Sequence, residues 1–475
     1  NVLTSTSFDL SSIKLTIRER VDLSDVQYTI GENNEIIIES WGDGENIVIP
    51  GSVSIVDGQL VDGGDYTVTS IADNAFTGNS TVKTVTLPDT IKSIGDNAFQ
   101  KCSNLTTVNL PDGLTEIGEG AFNRCGKLTD IVLPDTLTTI GPEAFFLCQS
   151  ITGTLNIPAS VTTIGRSALV YLGIIEFTVD GDNPNYTALD GILYNKNFTT
   201  LVAYPTSKAT NNYVMRESVT TVEWSAFRYA KNLTGTLTLS PKLTTIMNNA
   251  FHGCINLSGT LSIPASVTYI GEGPFTECRF TEYIIEGGNN SYYAVEDGVL
   301  YNADKTTLIQ FPTEKTAHNF TLPDSVKTIG AEAFVKCNGL TGEIVLPENI
   351  TTIGGSAFYR CDSFTSITLP ASLNTINSSA FYYCASLNTI RVECSTISSN
   401  GPDAFIGCDN LKTVFISSPE IASKLTSRTA LFCLINAAET VYIAESAASS
   451  LPTEFASMFS EVTPSDQSGY RKYTA

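Results

Sequence analysis

The sequence predicts a curved, single-core solenoid of short parallel strands, and three regularities carry that prediction. A phenylalanine after a small residue recurs at Phe76, Phe99, Phe122 and Phe145, then at Phe227, Phe251, Phe275, Phe334, Phe358, Phe381 and Phe405. Leu169 stands in the same phase, and most steps are 23 or 24 residues. Ahead of these anchors runs the apolar alternation of a short strand. Three residues after most of them stands a cysteine: Cys102, Cys125, Cys148, Cys254, Cys278, Cys337, Cys361, Cys384 and Cys408.

A clear unit runs from Leu105 to Cys125 as LTTVNLPDGLTEIGEGAFNRC, and its pattern returns from Phe364 to Cys384. The LxxLxL segment alternates inward and outward side chains. A Pro-Asp or Pro-Ala turn follows, and the chain returns through a buried Ile and an Ala-Phe pair. One unit cannot bury this apolar set alone, so neighbours must stack, with strands about 4.8 Å apart. A prior of roughly 150 residues per domain would divide 475 residues into three, but a repeat array overrides it. The reading is a leucine-rich-repeat solenoid.

Two steps are longer, 58 residues from Leu169 to Phe227 and 59 from Phe275 to Phe334. They contain a second repeat at an offset of 107: Asp190-Gly191-Ile192-Leu193-Tyr194-Asn195 with Pro205 matches Asp297-Gly298-Val299-Leu300-Tyr301-Asn302 with Pro312. Each reads as a β-hairpin cassette, near 180–212 and 286–318, with turns at Asn195–Phe198 and Asn302–Lys305. The cassettes are expected to project from, or replace, the return side of a coil. Residues 1–66 read as a β-rich N-terminal cap, 67–416 as the array, and 417–475 as a C-terminal cap over the last apolar face.

Units of the form LxxLxLPxxLxxIxxxAFxxC with inserted DGxLYN…TTLxxxP segments resemble the BspA-like leucine-rich-repeat proteins, a bacterial surface class of Bacteroidetes type. The resemblance covers about Thr67 to Ile416. It implies a non-enzymatic, extracellular or cell-surface protein, adhesive toward host matrix proteins, other cells or glycans. A glycan-binding accessory of a polysaccharide-uptake system is the alternative; exposed aromatic platforms outside the repeat phase would favour it. An enzyme hidden in residues 1–66 or in the tail is disfavoured by size and by the shortage of histidine.

Composition narrows the partners. With 27 basic against 49 acidic residues, the net charge is −22 and the pI about 4.4. Such a surface repels phosphate backbones and anionic headgroups, and it keeps a long rod soluble. Nucleic acid is therefore excluded as a partner, and a monomer that binds extracellular proteins or glycans is expected. No run of about 18 apolar residues occurs to span a bilayer, and Asn1-Val2-Leu3-Thr4-Ser5 has no signal-peptide character. The chain reads as one whose export signal has been removed.

No cofactor, metal or catalytic residue is expected. The repeat-phased cysteines form a ladder of buried free thiols rather than disulfides, because parallel Cβ vectors resist bridging. Cys394 and Cys433 lie outside the phase and are the remaining reactive pair to consider. The two histidines, His252 and His318, are 66 residues apart and read as surface or loop residues, which removes the usual base for Ser or Cys catalysis. Asp180-Gly181-Asp182-Asn183 lacks EF-hand spacing and reads as a tight turn. Tyr186, Tyr194 and Tyr204, against Tyr293, Tyr301 and Phe311, read as the filling of small cassette cores.

The outward strand positions form a continuous Thr-rich stripe, broken by Asp130 and Glu343 and carrying Val132 and Val345. Thr suits a parallel sheet without any ligand. The stripe is also a shallow polar platform, with Thr107, Asn109, Thr236, Thr238, Thr260 and Ser262 as the candidate binding residues at its centre.

Overall fold

In the computed structural model each unit makes one coil, with a longer strand, a two-residue strand and a tight turn, and about 16 coils stack in parallel. The structure describes residues 23, 25–42, 44–288, 290–395, 403–426, 435, 437–462, 465 and 467–475. The short strands Ser93–Ile94, Glu116–Ile117, Thr139–Ile140 and Thr163–Ile164 pair in register. Ile94, Ile117 and Ile140 point into the core. The threonine ahead of each pair ties coils together from outside: Thr115 Oγ1 donates to Lys92 O at 3.0 Å and Thr138 Oγ1 to Thr115 O at 2.9 Å.

The longer-strand rail starts as Asn46–Val48, Thr84–Thr86 and Thr107–Val108. In four of the five 24-residue steps the extra residue is a glycine in this rail. Gly153, Gly235, Gly259 and Gly342 have φ between 75° and 85°, and the strand register slips beside Gly153, Gly259 and Gly342. This is a glycine bulge, which absorbs one residue without moving the core positions.

A third rail runs through the Ala-Phe turns. Asn74, Phe76 and Gly78 donate their N–H groups to Asp96, Ala98 and Gln100 of the next coil at 2.7–2.8 Å. Left-handed residues stand two before and two after the phenylalanine, as at Asn97 (φ 56°) and Lys101 (φ 59°). Each non-glycine residue held there costs about 1–2 kcal/mol. Stacking offsets that cost: Phe76, Phe99, Phe122 and Phe145 lie face to face with centroids 4.7, 5.2 and 5.2 Å apart.

The cysteines do more than fill space. All those described are buried and free. The Sγ–H of Cys102, Cys125, Cys148 and Cys254 donates at 3.0 Å to the anchor Phe carbonyl of the preceding coil. Burial pushes the Cys102 and Cys148 thiols up to about 12 and Cys394 to about 11, so none of these three is a ready thiolate. Cys433 lies outside the described residues.

The structure sharpens the expectation for the cassettes in two ways. Each contains the expected hairpin and extends it by one strand into a three-stranded antiparallel meander: Tyr186–Leu189, Ile192–Asn195 and Thr200–Ala203, then Tyr293–Glu296, Val299–Asn302 and Thr307–Gln310. Of the two expected placements they take the second, replacing the return side of a coil rather than projecting, because the middle strand is buried on both faces. Leu193 packs into the core before it, and Ile192 and Tyr194 into the core after it; Leu300 is divided in the same way from Val299 and Tyr301. Each meander is a partition that closes one core segment and opens the next. The third strand resumes the short-strand rail against Thr221–Val222 or Thr328–Ile329. Tyr204 and Phe311 restart the ring stack, 4.9 Å from Phe227 and 5.1 Å from Phe334.

At the chain's ends the stack changes sense. Parallel pairing is already present between Glu35–Ser40 and Tyr66–Ile71, with the hairpin Ser52–Val56 and Gln59–Asp62 leaning on it. Thr413–Ile416 and Thr440–Ala444 extend the long rail, and the antiparallel strands Tyr470–Thr474 and Ser460–Val462 close it.

Candidate binding surfaces

The strand pattern places the candidate binding residues on the outer side of the long rail, but among the described residues that rail is divided into five sheets, with two of the four breaks at the partitions. Thr107 pairs with Thr84 and meets Asp130 in a sheet near the N-terminal end. Thr236, Thr238, Thr260 and Ser262 lie on two neighbouring strands between the partitions, Leu233–Thr238 and Ser258–Ile263. The stripe is therefore discontinuous. It brings four of the six residues together and leaves Thr107 and Asn109 on the far side of the first partition.

Several of these side chains are already engaged. Asn109 donates to Leu87 O at 2.8 Å and accepts from Leu87 N–H at 2.7 Å, so it ties two coils together. The Thr236 hydroxyl donates to Asn212 Oδ1 at 3.2 Å and the Thr260 hydroxyl to Glu282 Oε1 at 2.8 Å. Thr107, Thr238 and Ser262 make no side-chain hydrogen bond among the described residues.

Between the partitions the outward row reads Val214, Thr238, Ser262, Ile284, since Val214 pairs with Thr238 and Ser262 with Ile284. Val214 is 68% and Ile284 43% exposed, and Val132 (81%) and Val345 (37%) stand in the same row on either side. Sequence reasoning had Val132 and Val345 but missed Val214 and Ile284. Their strands flank the partitions, where the unit pattern is interrupted; aligning the cassettes on Tyr204 and Phe311 would have restored the phase.

The turn rail also behaves differently at the partitions, because side chains must reach across the gap. At the first, the Arg166 guanidinium lies 5.7 Å from the Trp224 ring centroid, and the Tyr171 and Tyr229 rings are 4.6 Å apart. At the second, His252 Nδ1 lies 3.2 Å from Glu332 Oε2 and Lys336 Nζ 2.8 Å from Glu277 Oε1. His252 is thus a buried, paired residue and not a surface one, because its ring fills the joint beside Tyr229. His318 is exposed.

The Asp180 turn is structural. Asp180 accepts from Asn156 Nδ2 and Ala159 N–H. Buried Asn183 donates to Pro158 O and Val161 O while accepting from Asn185 and Tyr186 N–H. At the second partition Asn290 donates to Ala265 O and Val267 O and accepts from Tyr292 and Tyr293 N–H, the same lock with one carbonyl shifted by a residue. Among the described residues no group of three or more His, Cys, Asp or Glu is placed to hold a metal ion, and no helix is long and apolar enough to cross a membrane.

Similar crystal structures include a leucine rich cell surface protein of Faecalibacterium prausnitzii, 24% identical with a TM-score of 0.45 over 92% of this chain and 98% of that one. A leucine-rich repeat protein of Eubacterium ventriosum is 25% identical, TM-score 0.46, over 81% and 93%. One of Bacteroides ovatus is 25% identical, TM-score 0.37, over 84% and 94%. No curated protein matches. The BspA type leucine rich repeat region matches residues 65–184, 203–317 and 310–427, in six copies. The repeat phase, the solenoid and a match spanning well over half of its length agree, and the chain belongs to the BspA-type leucine-rich repeat family.

Proposed function

We propose that the chain is a surface-displayed binding scaffold, not an enzyme, that adheres to extracellular proteins through the outward face of the long-strand rail. One observation carries the reading: exposed Val214 and Ile284 frame Thr238 and Ser262 in a single row. Aliphatic side chains in a strand's outward row add nothing to the core, whereas a docking partner would remove them from water. Solenoids present such faces to large ligands, and several coils together reach the roughly 800 Å² per partner of a standard interface. Without a Trp or Arg cluster on this face, single-site affinity is modest and multivalent display compensates.

The test is a binding screen of the full chain against extracellular-matrix proteins, followed by the triple variant Val214→Asp, Thr238→Lys, Ile284→Asp. These side chains face water, so the variant keeps the parent's melting profile. Loss of binding to a ligand found in the screen supports the reading. Equal binding by parent and variant refutes it and moves the interface off this face.

A further inference from the structure

The first partition opens a pocket that the repeat does not explain. The short-strand rail ends there at Thr163–Ile164, and the Tyr186 phenol takes the Ile164 N–H at 2.8 Å, where another coil would have supplied a carbonyl. The gap beside it is a pocket of about 270 Å³ whose lining includes Arg166, Ser167, Tyr186, Thr200 and Glu223. Glu223 occupies the repeat position that Gly95, Gly118, Gly141 and Gly165 hold in earlier coils. There a Cβ would strike backbone: at Gly141 it would lie 2.5 Å from Gly118 C. At Glu223 the neighbouring strand is the third of the partition, to whose Leu201 O the Glu223 N–H donates at 3.0 Å, and the position carries a carboxylate that lines the pocket.

The carboxylate is poorly provided for. Burial pushes the Glu223 pKa up, and the Trp224 backbone N–H opposes the rise. No cation among the described residues lies within ion-pair reach, although Arg166 lines the same pocket; the guanidinium instead stands 3.9 Å from Glu119. Tyr186, having accepted from Ile164, keeps its own proton to donate. The pocket therefore holds a carboxylate without an ion pair, two donors in Arg166 and Tyr186, a Thr200 hydroxyl that serves as either, and a Ser167 hydroxyl that donates to Trp224 O at 3.4 Å and keeps its lone pairs to accept.

This chemistry is absent from the second partition. The Tyr293 phenol again caps Ile270 N–H, at 2.6 Å, but Glu272 replaces the arginine and Gly330 and Ala331 replace Glu223 and Trp224. The joint can be built without these groups, so its architecture does not account for them.

We propose that the pocket is a subsite for one neutral sugar residue, as at the end of a glycan. An anion would face Glu223 and a cation Arg166, whereas neighbouring sugar hydroxyls donate to the carboxylate while accepting from the guanidinium and the phenol. The volume sits just below the roughly 300–1,000 Å³ of drug-sized ligand sites and suits a single ring. The subsite is separate from the strand face and stands or falls independently of it.

The experiment titrates methyl glycosides of galactose, glucose, mannose and N-acetylglucosamine, with glycine and alanine beside them, into the full chain by calorimetry. At least one glycoside binds at 1:1. The loss of a charge-assisted bond in Glu223→Gln, and separately in Arg166→Met, weakens that binding about tenfold or more. The melting curve of Glu223→Gln stays at the parent's, that of Arg166→Met falls by no more than the loss of one cation–π contact, that with Trp224, and Glu272→Gln at the other partition binds as the parent does. The proposal is overturned by three results: no glycoside binding, equal binding in parent and pocket variants, or binding of the amino acids in preference to the glycosides. The strand-face triple variant binds glycosides normally, which separates failure of this site from failure of that one.

Discussion

The two partitions are 107 residues apart and nearly superimposable in design, yet different chemistry holds their turn rails together. Both use an antiparallel meander whose middle strand divides two cores, an Asn that locks the entry turn, and a Tyr phenol that caps the interrupted sheet. The first is bridged by Arg166 against Trp224 and Tyr171 against Tyr229. The second is bridged by His252–Glu332 and Lys336–Glu277. Backbone and core thus fix the joint, and the bridging positions of the turn rail are free to carry rings or ions. The comparison predicts equal response to core damage and unequal response to pH.

The largest effect comes from the shared element. Leu193→Ala and Leu300→Ala each remove a fully buried leucine from a dividing strand and should cost about 2–5 kcal/mol. Because solenoid stability is carried by neighbour interfaces, a weakened partition should also split the melt, with one core segment unfolding before the others. A single, unshifted transition in both variants would mean that the meanders are ornaments on a continuous core.

A smaller effect separates the joints. Burial pushes the Glu332 carboxyl up, but the hydrogen bond and charge of His252, with Thr276 and Arg228 beside it, outweigh burial and leave its pKa lowered. A carboxylate with a depressed folded pKa contributes fully above its unfolded value, about 4.3, and the contribution is lost as pH falls through the folded value. Glu332→Gln should therefore cost about 1–2 kcal/mol at neutral pH and flatten the acid limb of stability below about pH 4. Tyr229→Ala at the first joint should cost a comparable 0.5–1.5 kcal/mol, about the value of an aromatic pair, and leave the acid limb as steep as the parent's. Urea melts at pH 3 and pH 7 check both, and identical pH profiles for the two variants would erase the distinction.

How far the sequence shows these features follows from how local each one is. The anchor phenylalanines, the cysteine phase and the strand alternation repeat within one coil, so a single pass along the chain finds them. The partition's role is hidden because Tyr204 and Phe311 restart the ring stack 35 and 36 residues after Leu169 and Phe275, off the unit's period. The His252–Glu332 pair joins residues 80 positions apart, and nothing near either one announces the other. The candidate face was read one strand at a time, which located Thr236, Thr238, Thr260 and Ser262. It could not reveal that the partitions interrupt the sheet between them and Thr107. The pocket at Glu223 had a visible trace: an acidic residue in a phase where glycine is frequent, followed by one of the chain's two tryptophans.

The finest test uses two lysines in one repeat position. Lys101 and Lys336 both stand two residues after the anchor Phe, with φ of 59° and 56°. Lys101 makes no ion pair among the described residues and sits in an uninterrupted stretch of coils, whereas Lys336 spans the second partition to Glu277 at 2.8 Å. Glycine relieves a left-handed cost of about 1–2 kcal/mol but adds about 0.5–1 kcal/mol of chain entropy to the unfolded state. Lys101→Gly should therefore stabilise by about 0.5–1 kcal/mol. Lys336→Gly gains the same backbone relief and loses an ion pair worth up to about 1 kcal/mol, so its net change should be near zero at low salt. Screening the pair in 1 M salt removes that loss from the comparison, and the two variants should then converge on the same gain. If Lys336→Gly already matches Lys101→Gly at low salt, the ion pair contributes nothing across the joint, and the second partition is held by His252 and Glu332 alone.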